Sequence, residues 1–190
     1  DSKFGDSERT IRGIAWGGDK FVAVGQKGKM AYSTNGTEWT EVANSTFPTS
    51  SPDKSILSIA WGGGMFIAAG GGQMAYSANG ESWTAVDNST ATNGNIYGIA
   101  YGGGKFVAVG DLGRMAYSAD GKSWTAVSDS TFGVSFNTIN GIAWGGGKFV
   151  AVGDGGKMAY SADGESWTAV GDSTVGDGFN TIKGIAWSGG

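Results

Sequence analysis

The hydrophobic and polar positions of this chain repeat along its whole length. The aromatic residue that follows Gly-Ile-Ala, or the related Ser-Ile-Ala, recurs at intervals of 45, 40, 43 and 43 residues. Nearly the same thirty residues occupy 98–127 and 141–170, and looser copies occupy 13–42 and 58–86. A fifth copy begins at Gly184. The length differences fall in the connecting segments, where loops absorb insertions. The five aromatic positions are Trp16, Trp61, Tyr101, Trp144 and Trp187.

Each repeat predicts four short strands separated by glycine-rich turns. In the second segment, Lys-Phe-Val-Ala-Val, residues with high strand propensity alternate between two faces. Asp163-Gly164 predicts a tight hairpin turn, because glycine readily adopts the positive φ that such turns need. No window shows the apolar spacing of an amphipathic helix. For the fourth copy we predict strands over residues 139–144, 148–152, 157–161 and 166–170.

Four antiparallel strands in each repeat match the size of one blade of a β-propeller. The first two strands carry small and β-branched residues on both faces, which suits a sheet packed between two neighbouring sheets. The fold class that we predict is all-β, a β-propeller or propeller segment with four-stranded antiparallel blades. We treat residues 1–190 as one array, with repeats at 1–43, 44–87, 88–128 and 129–171 and a partial fifth repeat at 172–190.

One copy of the first strand is surplus. Residues 1–16 align without a gap on residues 172–187, so the chain holds four complete repeats plus a repeated connector and first strand. The surplus strand could be exchanged between chains, the chain could belong to a longer array, or the strand could pack at one end of an open assembly. Because open terminal blades leave edge strands free to pair, we favour several chains or a longer parent over a closed four-bladed monomer.

Composition removes several kinds of chemistry. The chain has no Cys and no His, which excludes thiol nucleophiles, disulfides, Cys/His zinc sites and an imidazole base. A net charge of −4 with scattered Lys argues against a nucleic-acid surface, and no apolar run is long enough to span a membrane. We therefore expect no cofactor, no metal, no nucleic-acid partner and no membrane insertion.

The turn between the third and fourth strands carries a family resemblance. Residues 118–124, Ser-Ala-Asp-Gly-Lys-Ser-Trp, and 161–167, Ser-Ala-Asp-Gly-Glu-Ser-Trp, resemble the Asp-box of BNR/sialidase-type propellers, shortened by one residue between Asp and Gly. The first two repeats have Asn-Gly there. The whole repeat is also similar to Gly-Ile-Ala-Tyr-Gly-x-Gly-x-Phe-Val-Ala-Val-Gly arrays of bacterial surface and secreted proteins. The resemblance implies that the Asp ties down its own turn and that the Trp packs beneath it. The corresponding residues are Ser33, Asn35, Trp39, Ser77, Asn79, Trp83, Ser118, Asp120, Trp124, Ser161, Asp163 and Trp167.

The residues for catalysis are missing from this pattern. Sialidase activity would need an arginine triad, but the chain has only Arg9, Arg12 and Arg114, two of them on one segment. Asp111 and Asp154 occupy equivalent turns and could form a glycosidase pair, but Asp is also a common turn residue. We favour the turn interpretation and expect no enzyme.

The connectors and the turns between the second and third strands form the face on which propellers usually bind ligands. Residues on that face vary between repeats more than the strands do, and exposed aromatic rings stack well on sugars. The first hypothesis is a non-catalytic interaction module, secreted or at the cell surface, that binds glycan or protein there. The alternatives are a structural or self-assembling protein whose partner is itself, through oligomerisation or strand exchange, and a designed or reconstructed propeller with no native task. The candidate ligand-binding residues are Gln26, Lys27, Asp111, Arg114, Asp154, Lys157, Asn137 and Asn180, with Phe136 and Phe179 nearby in the connectors.

Overall fold

A computed structural model describes residues 10–48, 55–87, 94–133, 137–171 and 180–188. Phe136, Phe179 and most of the two aligned connectors, 1–9 and 172–179, lie outside these ranges. The described residues form four sheets, each with four antiparallel strands in chain order, which we number blades 1 to 4. The predicted all-β propeller architecture is confirmed.

The blades follow the repeats, and within each blade the first strand lies at one edge and the fourth at the other. The first strands of successive blades, β1, β5, β9 and β13, contact one another in that order. The strands are β1 Ile11–Gly17, β2 Lys20–Gly25, β3 Met30–Ser33 and β4 Thr40–Glu41 in blade 1; β5 Ser58–Gly62, β6 Met65–Gly70, β7 Gln73–Ser77 and β8 Thr84–Ala85 in blade 2; β9 Ile96–Gly102, β10 Lys105–Gly110, β11 Met115–Ser118 and β12 Thr125–Ala126 in blade 3; β13 Ile139–Gly145, β14 Lys148–Gly153, β15 Met158–Ser161 and β16 Thr168–Ala169 in blade 4.

Two details differ from the sequence prediction. The fourth strand of blade 4 has only two residues, whereas we predicted 166–170. The turn runs on through Trp167, because the indole N–H of Trp167 donates to Gly164 O at 3.3 Å. In addition, the turns at Gln26–Gly28, Asp111–Gly113 and Asp154–Gly156 hold their central residue at positive φ even where it is not glycine, at Lys27 and Leu112.

The blades are joined by an aromatic ring that lies on a glycine. Trp61 of blade 2 covers Gly17 of blade 1 so closely that a Cβ on Gly17 would sit 2.0 Å from the ring. Such an overlap leaves no room for any side chain, so the position must be glycine. The same arrangement recurs for Tyr101 on Gly62 at 1.9 Å, Trp144 on Gly102 at 2.0 Å and Trp187 on Gly145 at 2.1 Å.

A second contact at each junction comes from the turn between the third and fourth strands. A Cβ on Gly80 of blade 2 would lie 2.7 Å from Val22 of blade 1, so this turn also presses directly on its neighbour. The equivalent pairs are Gly121 on Ile67, at 2.5 Å, and Gly164 on Val107, at 2.8 Å. Val22, Ile67 and Val107 are fully buried as a result. Lys20–Glu81 and Lys105–Glu165 add ion pairs across two of the junctions.

Each of these turns is held by its own polar side chains. Ser161 Oγ accepts a hydrogen bond from Gly164 N at 2.8 Å, and Asp163 Oδ1 accepts from Glu165 N and Ser166 N, both at 2.9 Å. Asn35, Asn79 and Asp120 hold the other three turns in the same way. The four serines, Ser33, Ser77, Ser118 and Ser161, are buried. Trp83, Trp124 and Trp167 are buried as well, whereas Trp39 of blade 1 is only half-buried.

The glycine beneath each ring gives a direct stability test. Gly102→Ala forces a methyl group into the Trp144 ring, and we expect it to lower the free energy of unfolding by about 3 kcal/mol or more. Gly171→Ala is the matched control, because a Cβ on Gly171 meets nothing within 4 Å. Urea unfolding followed by Trp fluorescence measures both. An equal, small effect of the two substitutions would contradict the packing described for this junction.

The turn carboxylates predict a particular loss of stability in acid. The hydrogen bonds donated by the backbone N–H groups of Ser166 and Glu165 lower the pKa of Asp163 from 3.8 to about 2. Because the folded-state pKa lies below the unfolded one, this stabilisation is present above about pH 4 and is lost as the pH falls towards 2. Asp163→Asn keeps the accepting oxygen, as Asn35 and Asn79 do naturally, so its urea midpoint should fall less between pH 5 and pH 2.5. An identical fall in the wild type would contradict this account.

Candidate functional site

Three of the predicted binding residues hold their own blade together. Gln26, Asp111 and Asp154 occupy equivalent turns in blades 1, 3 and 4, and each side chain accepts a backbone N–H from the start of its blade. These hydrogen bonds hold the end of each connector in place. The three side chains therefore use part of their hydrogen-bonding capacity to stabilise the fold. The pairs are Thr10 N to Gln26 Oε1 at 3.1 Å, Asn95 N to Asp111 Oδ2 at 2.7 Å, and Thr138 N to Asp154 Oδ2 at 2.9 Å.

Two other predicted residues meet at one carbonyl. Lys157 Nζ and Asn137 Nδ2 both donate to Phe132 O, each at 2.8 Å. Lys27 lies at the centre of the turn between β2 and β3 of blade 1, with a positive φ of 55°. Asn180 is exposed at the start of the last described segment, next to Thr181, whose side chain forms a hydrogen bond with Asp154. The structure therefore brings Asn137 and Lys157 together and places Asn180 one residue from a partner of Asp154, whereas Lys27 lies in blade 1.

Asp111 and Arg114 border one small cleft in blade 3. Both side chains approach Gly94, where a Cβ would lie 3.2 Å from Asp111 Oδ2 and 3.5 Å from Arg114 Nη1. The cleft has a volume of about 10 Å³, close to the space that one water molecule needs. A sugar ring does not fit into it, so a ligand at this position would have to lie on the surface above.

The first strands contain β-bulges that were not predicted from the sequence. The pairing of β1 with β2 shifts between Ile11 and Gly13, which leaves Arg12 as the extra residue. The same shift falls at Tyr97 in blade 3 and at Asn140 in blade 4. In blade 2 the matching residue is Leu57, whose N–H donates to Ala69 O beside the pair Ser58–Ala69. We call Arg12, Leu57, Tyr97 and Asn140 the bulge row.

The bulge row is also the most variable point of the first strand. The strands read Ile-Arg-Gly-Ile-Ala-Trp, Ile-Leu-Ser-Ile-Ala-Trp, Ile-Tyr-Gly-Ile-Ala-Tyr and Ile-Asn-Gly-Ile-Ala-Trp, and Lys183 has the matching place in the fifth copy. Bulges re-aim a side chain and are common beside functional sites. The signal in the sequence was a single position that changes its chemistry in every copy within an otherwise nearly constant strand.

Tyr97 and Asn140 connect the bulge row to the predicted acidic residues. Partial burial, then a hydrogen bond with Asp111 and the negative charge of Asp111, raise the pKa of Tyr97, and Asp154 adds to the shift. Asn140 Nδ2 donates to Asp154 Oδ1 at 3.1 Å and to Ile182 O at 3.2 Å. Tyr97 thus interacts with Asp111 and lies close enough to Asp154, the partner of Asn140, to be affected by its charge.

The carboxylate of Asp154 is suited to accept hydrogen bonds. Partial burial acts to raise its pKa, but hydrogen bonds from the Thr138 backbone and from Asn140 outweigh it, and the net shift is downwards. A general acid for glycoside cleavage needs a raised pKa. The environment of Asp154 is therefore that of an ionised acceptor.

The two ends of the array expose surfaces that are covered at the internal junctions. On blade 1, Ile14 is 57% exposed and Trp16 is 53% exposed. Their counterparts Ile59, Ile99 and Ile142 are buried, and Trp61, Tyr101 and Trp144 are half-buried against a preceding blade. We call the surface of Ile14, Trp16, Phe21, Gly36 and Trp39 the front face.

Blade 4 ends the array with the opposite surface. Residues 180–188 run along it, and Trp187 lies on Gly145 at the place that a following blade would fill. Farther out, Lys148 and Tyr160 are exposed and Val150 is only half-buried. We call the surface of Gly145, Lys148, Val150 and Tyr160 the back face.

No cluster of three or more metal-ligating side chains occurs within the described ranges. The described residues also contain no helix that is long and apolar enough to cross a membrane.

Comparison with solved structures shows the same fold at low sequence identity. YCF48, in a structure bound to D1 peptide, is 18% identical over 85% of this chain and 54% of its own, with a TM-score of 0.58. The extracellular domain of the putative one-component system BT4673 from B. thetaiotaomicron is 12% identical over 97% of this chain and 26% of its own, with a TM-score of 0.67. The GH74 enzyme of Niastella koreensis is 24% identical over 84% of this chain and 24% of its own, with a TM-score of 0.53.

These similarities establish the fold, which binding proteins and enzymes share. The chain spans about half the length of the YCF48 chain that it matches. A comparison with curated proteins found no match. The sequence model of one family, described as the DUF6242 beta propeller domain, matches residues 5–131, which is most of the repeat array. The chain belongs to the DUF6242 β-propeller domain family.

Proposed function

We propose that this chain is a non-catalytic β-propeller interaction module that binds a glycan through the bulge row and the acidic turns beside it. The observation that carries the proposal is the bulge row itself. A nearly constant scaffold presents one changing side chain at this position of each blade, and in blades 1, 3 and 4 that side chain lies at a β-bulge.

The chemistry of this surface suits a polyhydroxylated ligand. Tyr97 offers an aromatic face, and Asn140 and Asp154 offer an amide and an ionised carboxylate within one hydrogen-bonded group. Sugars are bound by such combinations of ring stacking and paired donors and acceptors. Arg12 at the other end of the row adds a cation. The lowered pKa of Asp154 supports a role for its ionised carboxylate as a hydrogen-bond acceptor for a sugar hydroxyl.

Two finer assignments belong to the same proposal. We assign the turns between the third and fourth strands to a shortened Asp-box, supported by the serine and carboxylate hydrogen bonds within each turn. We also place the protein outside the cell or on its surface. The fold similarity to an extracellular domain supports that placement.

A glycan array followed by calorimetry tests the binding proposal. We expect the wild type to retain at least one oligosaccharide, and Tyr97→Ala to weaken its affinity about tenfold, equivalent to about 1.4 kcal/mol. Tyr76→Ala is the matched control, because Tyr76, like Tyr97, is a half-buried tyrosine but lies on β7, away from the bulge row and from both end faces. A folded wild type that retains no glycan, or equal losses from both substitutions, would overturn the proposal.

A second candidate function is self-association, and the two end faces favour it. The front face carries the same residue types that blades 2 and 3 use to pack against the preceding blade. The back face carries the same residue types that blades 1 and 3 use to pack against the next blade. A second copy whose blade 1 packed against blade 4 would therefore repeat a junction that the chain already contains three times. In that contact Gly36 would lie on Val150. Lys148 would lie beside Thr37 and Glu38, which follow Gly36, and would meet no positive charge there. Such a head-to-tail contact either closes into a ring or continues as an open filament.

Substitution on the front face tests self-association. We expect the wild type to form oligomers at micromolar concentration in light scattering coupled to size-exclusion chromatography. Ile14→Lys should shift it to monomer, because it places a charge in an apolar contact. Leu112→Lys is the matched control, since Leu112 is also an exposed apolar residue, 41% accessible, but lies on neither end face. A strictly monomeric wild type would reject the candidate, as would equal behaviour of the two variants.

A further inference from the structure

The last described segment, residues 180–188, occupies the inner part of the back face. Trp187 lies on Gly145 as Trp144 lies on Gly102, with hypothetical Cβ distances of 2.1 and 2.0 Å. Ile182 N donates to Gly153 O at 3.1 Å, as Ile56 N donates to Gly25 O at 3.0 Å at the junction of blades 1 and 2. The segment thus imitates the first strand of a following blade.

The imitation is incomplete, so the segment covers only part of the back face. Residues 180–188 form no strand ladder within the described structure, whereas β1 pairs with β2 from Ile11 to Gly17. Trp187 remains 60% exposed. The segment also brings no turn glycine to Val150, which stays half-buried while its counterpart Val107 is fully buried beneath Gly164.

Blade 1 of a second copy would fit the same surface more completely. Residues 10–16 read Thr-Ile-Arg-Gly-Ile-Ala-Trp and residues 181–187 read Thr-Ile-Lys-Gly-Ile-Ala-Trp, so the two strands differ only by Arg for Lys. Either strand can therefore make the inner contacts. In the described structure β1 is followed by the rest of blade 1, whose Gly36 turn would also cover Val150 and the outer part of the face.

Residue 188 shows that a second copy cannot simply stack on this segment. Every aromatic ring at a junction lies on a glycine, and a Cβ there would come within about 2 Å of the ring. In the fifth copy that glycine is replaced by Ser188. A Trp16 ring from another chain would meet the Ser188 side chain, so the segment has to leave before blade 1 can pack on Gly145.

We propose that residues 181–188 are an internal cap that competes with blade 1 of a second copy for the back face and weakens head-to-tail association. This inference rests on the self-association candidate. When two occupants compete for one surface, the apparent affinity of the second falls by the fraction of molecules in which the first has left. The cap therefore sets the concentration at which assembly begins.

Two tryptophan substitutions with the same chemical change test the cap. Trp187→Ala loosens the cap, and we expect it to strengthen association by up to about tenfold, the effect of losing about 1.4 kcal/mol of competing contact. Trp16→Ala removes the ring that a second copy would insert, and it should weaken association by a similar factor. Analytical ultracentrifugation over a concentration series gives both constants, with circular dichroism to verify folding.

Hydrogen exchange gives a readout that does not depend on a variant. On assembly of the wild type, amides in 181–188 should lose protection while those in 10–17 gain it. Association that is unchanged or weakened by Trp187→Ala, or protection gained in 181–188, would overturn the cap and leave self-association standing. If the wild type is strictly monomeric, self-association fails, and the cap with it.

Discussion

The contact on which the array depends is an aromatic ring lying on a bare glycine. At Gly17, Gly62, Gly102 and Gly145, any side chain would overlap the ring of the next repeat. The glycine brings two sheets close enough for the turn glycines to press on Val22, Ile67 and Val107. Each junction then buries residues on both faces of the sheets, which explains why Val and Ala alternate in the second strands without a polar face. Stability in such an array comes mainly from nearest neighbours.

The same contact explains the two ends. The surface with which one blade packs against another is apolar. On blade 1 no preceding blade covers this surface in the described structure, so Ile14 and Trp16 are about half-exposed. At blade 4 the counterpart is partly covered by a segment of the same chain. In that segment Ser188 stands where the other copies have the glycine that lies beneath an aromatic ring. The assembly and the cap that we propose would both use this one local geometry.

The sequence allowed the architecture to be predicted because its signals are local. Strand alternation, glycine turns and the Ser–Asp–Gly–Trp pattern each depend on residues within a few positions of one another, and the structure places them as expected. The bulges could not be predicted in the same way, because a bulge depends on the register between two strands. Only the change from Arg12 to Leu57, Tyr97 and Asn140 in a nearly constant strand indicated it. Gln26, Asp111 and Asp154 were predicted to face a ligand. Their hydrogen bonds with backbone N–H groups 16 residues away could not be predicted, because the folded blade brings these groups together. Whether they also bind a ligand stays a prediction.

The most direct test of the role of the ring-on-glycine contact is an image of the particle that the chain forms in solution, at a resolution that distinguishes blades. The account predicts particles in which blade 1 of one chain packs against blade 4 of another, with Trp16 on Gly145 and residues 181–188 displaced. Isolated four-bladed arcs at every concentration, with Trp16 in solvent and Trp187 on Gly145, would contradict it.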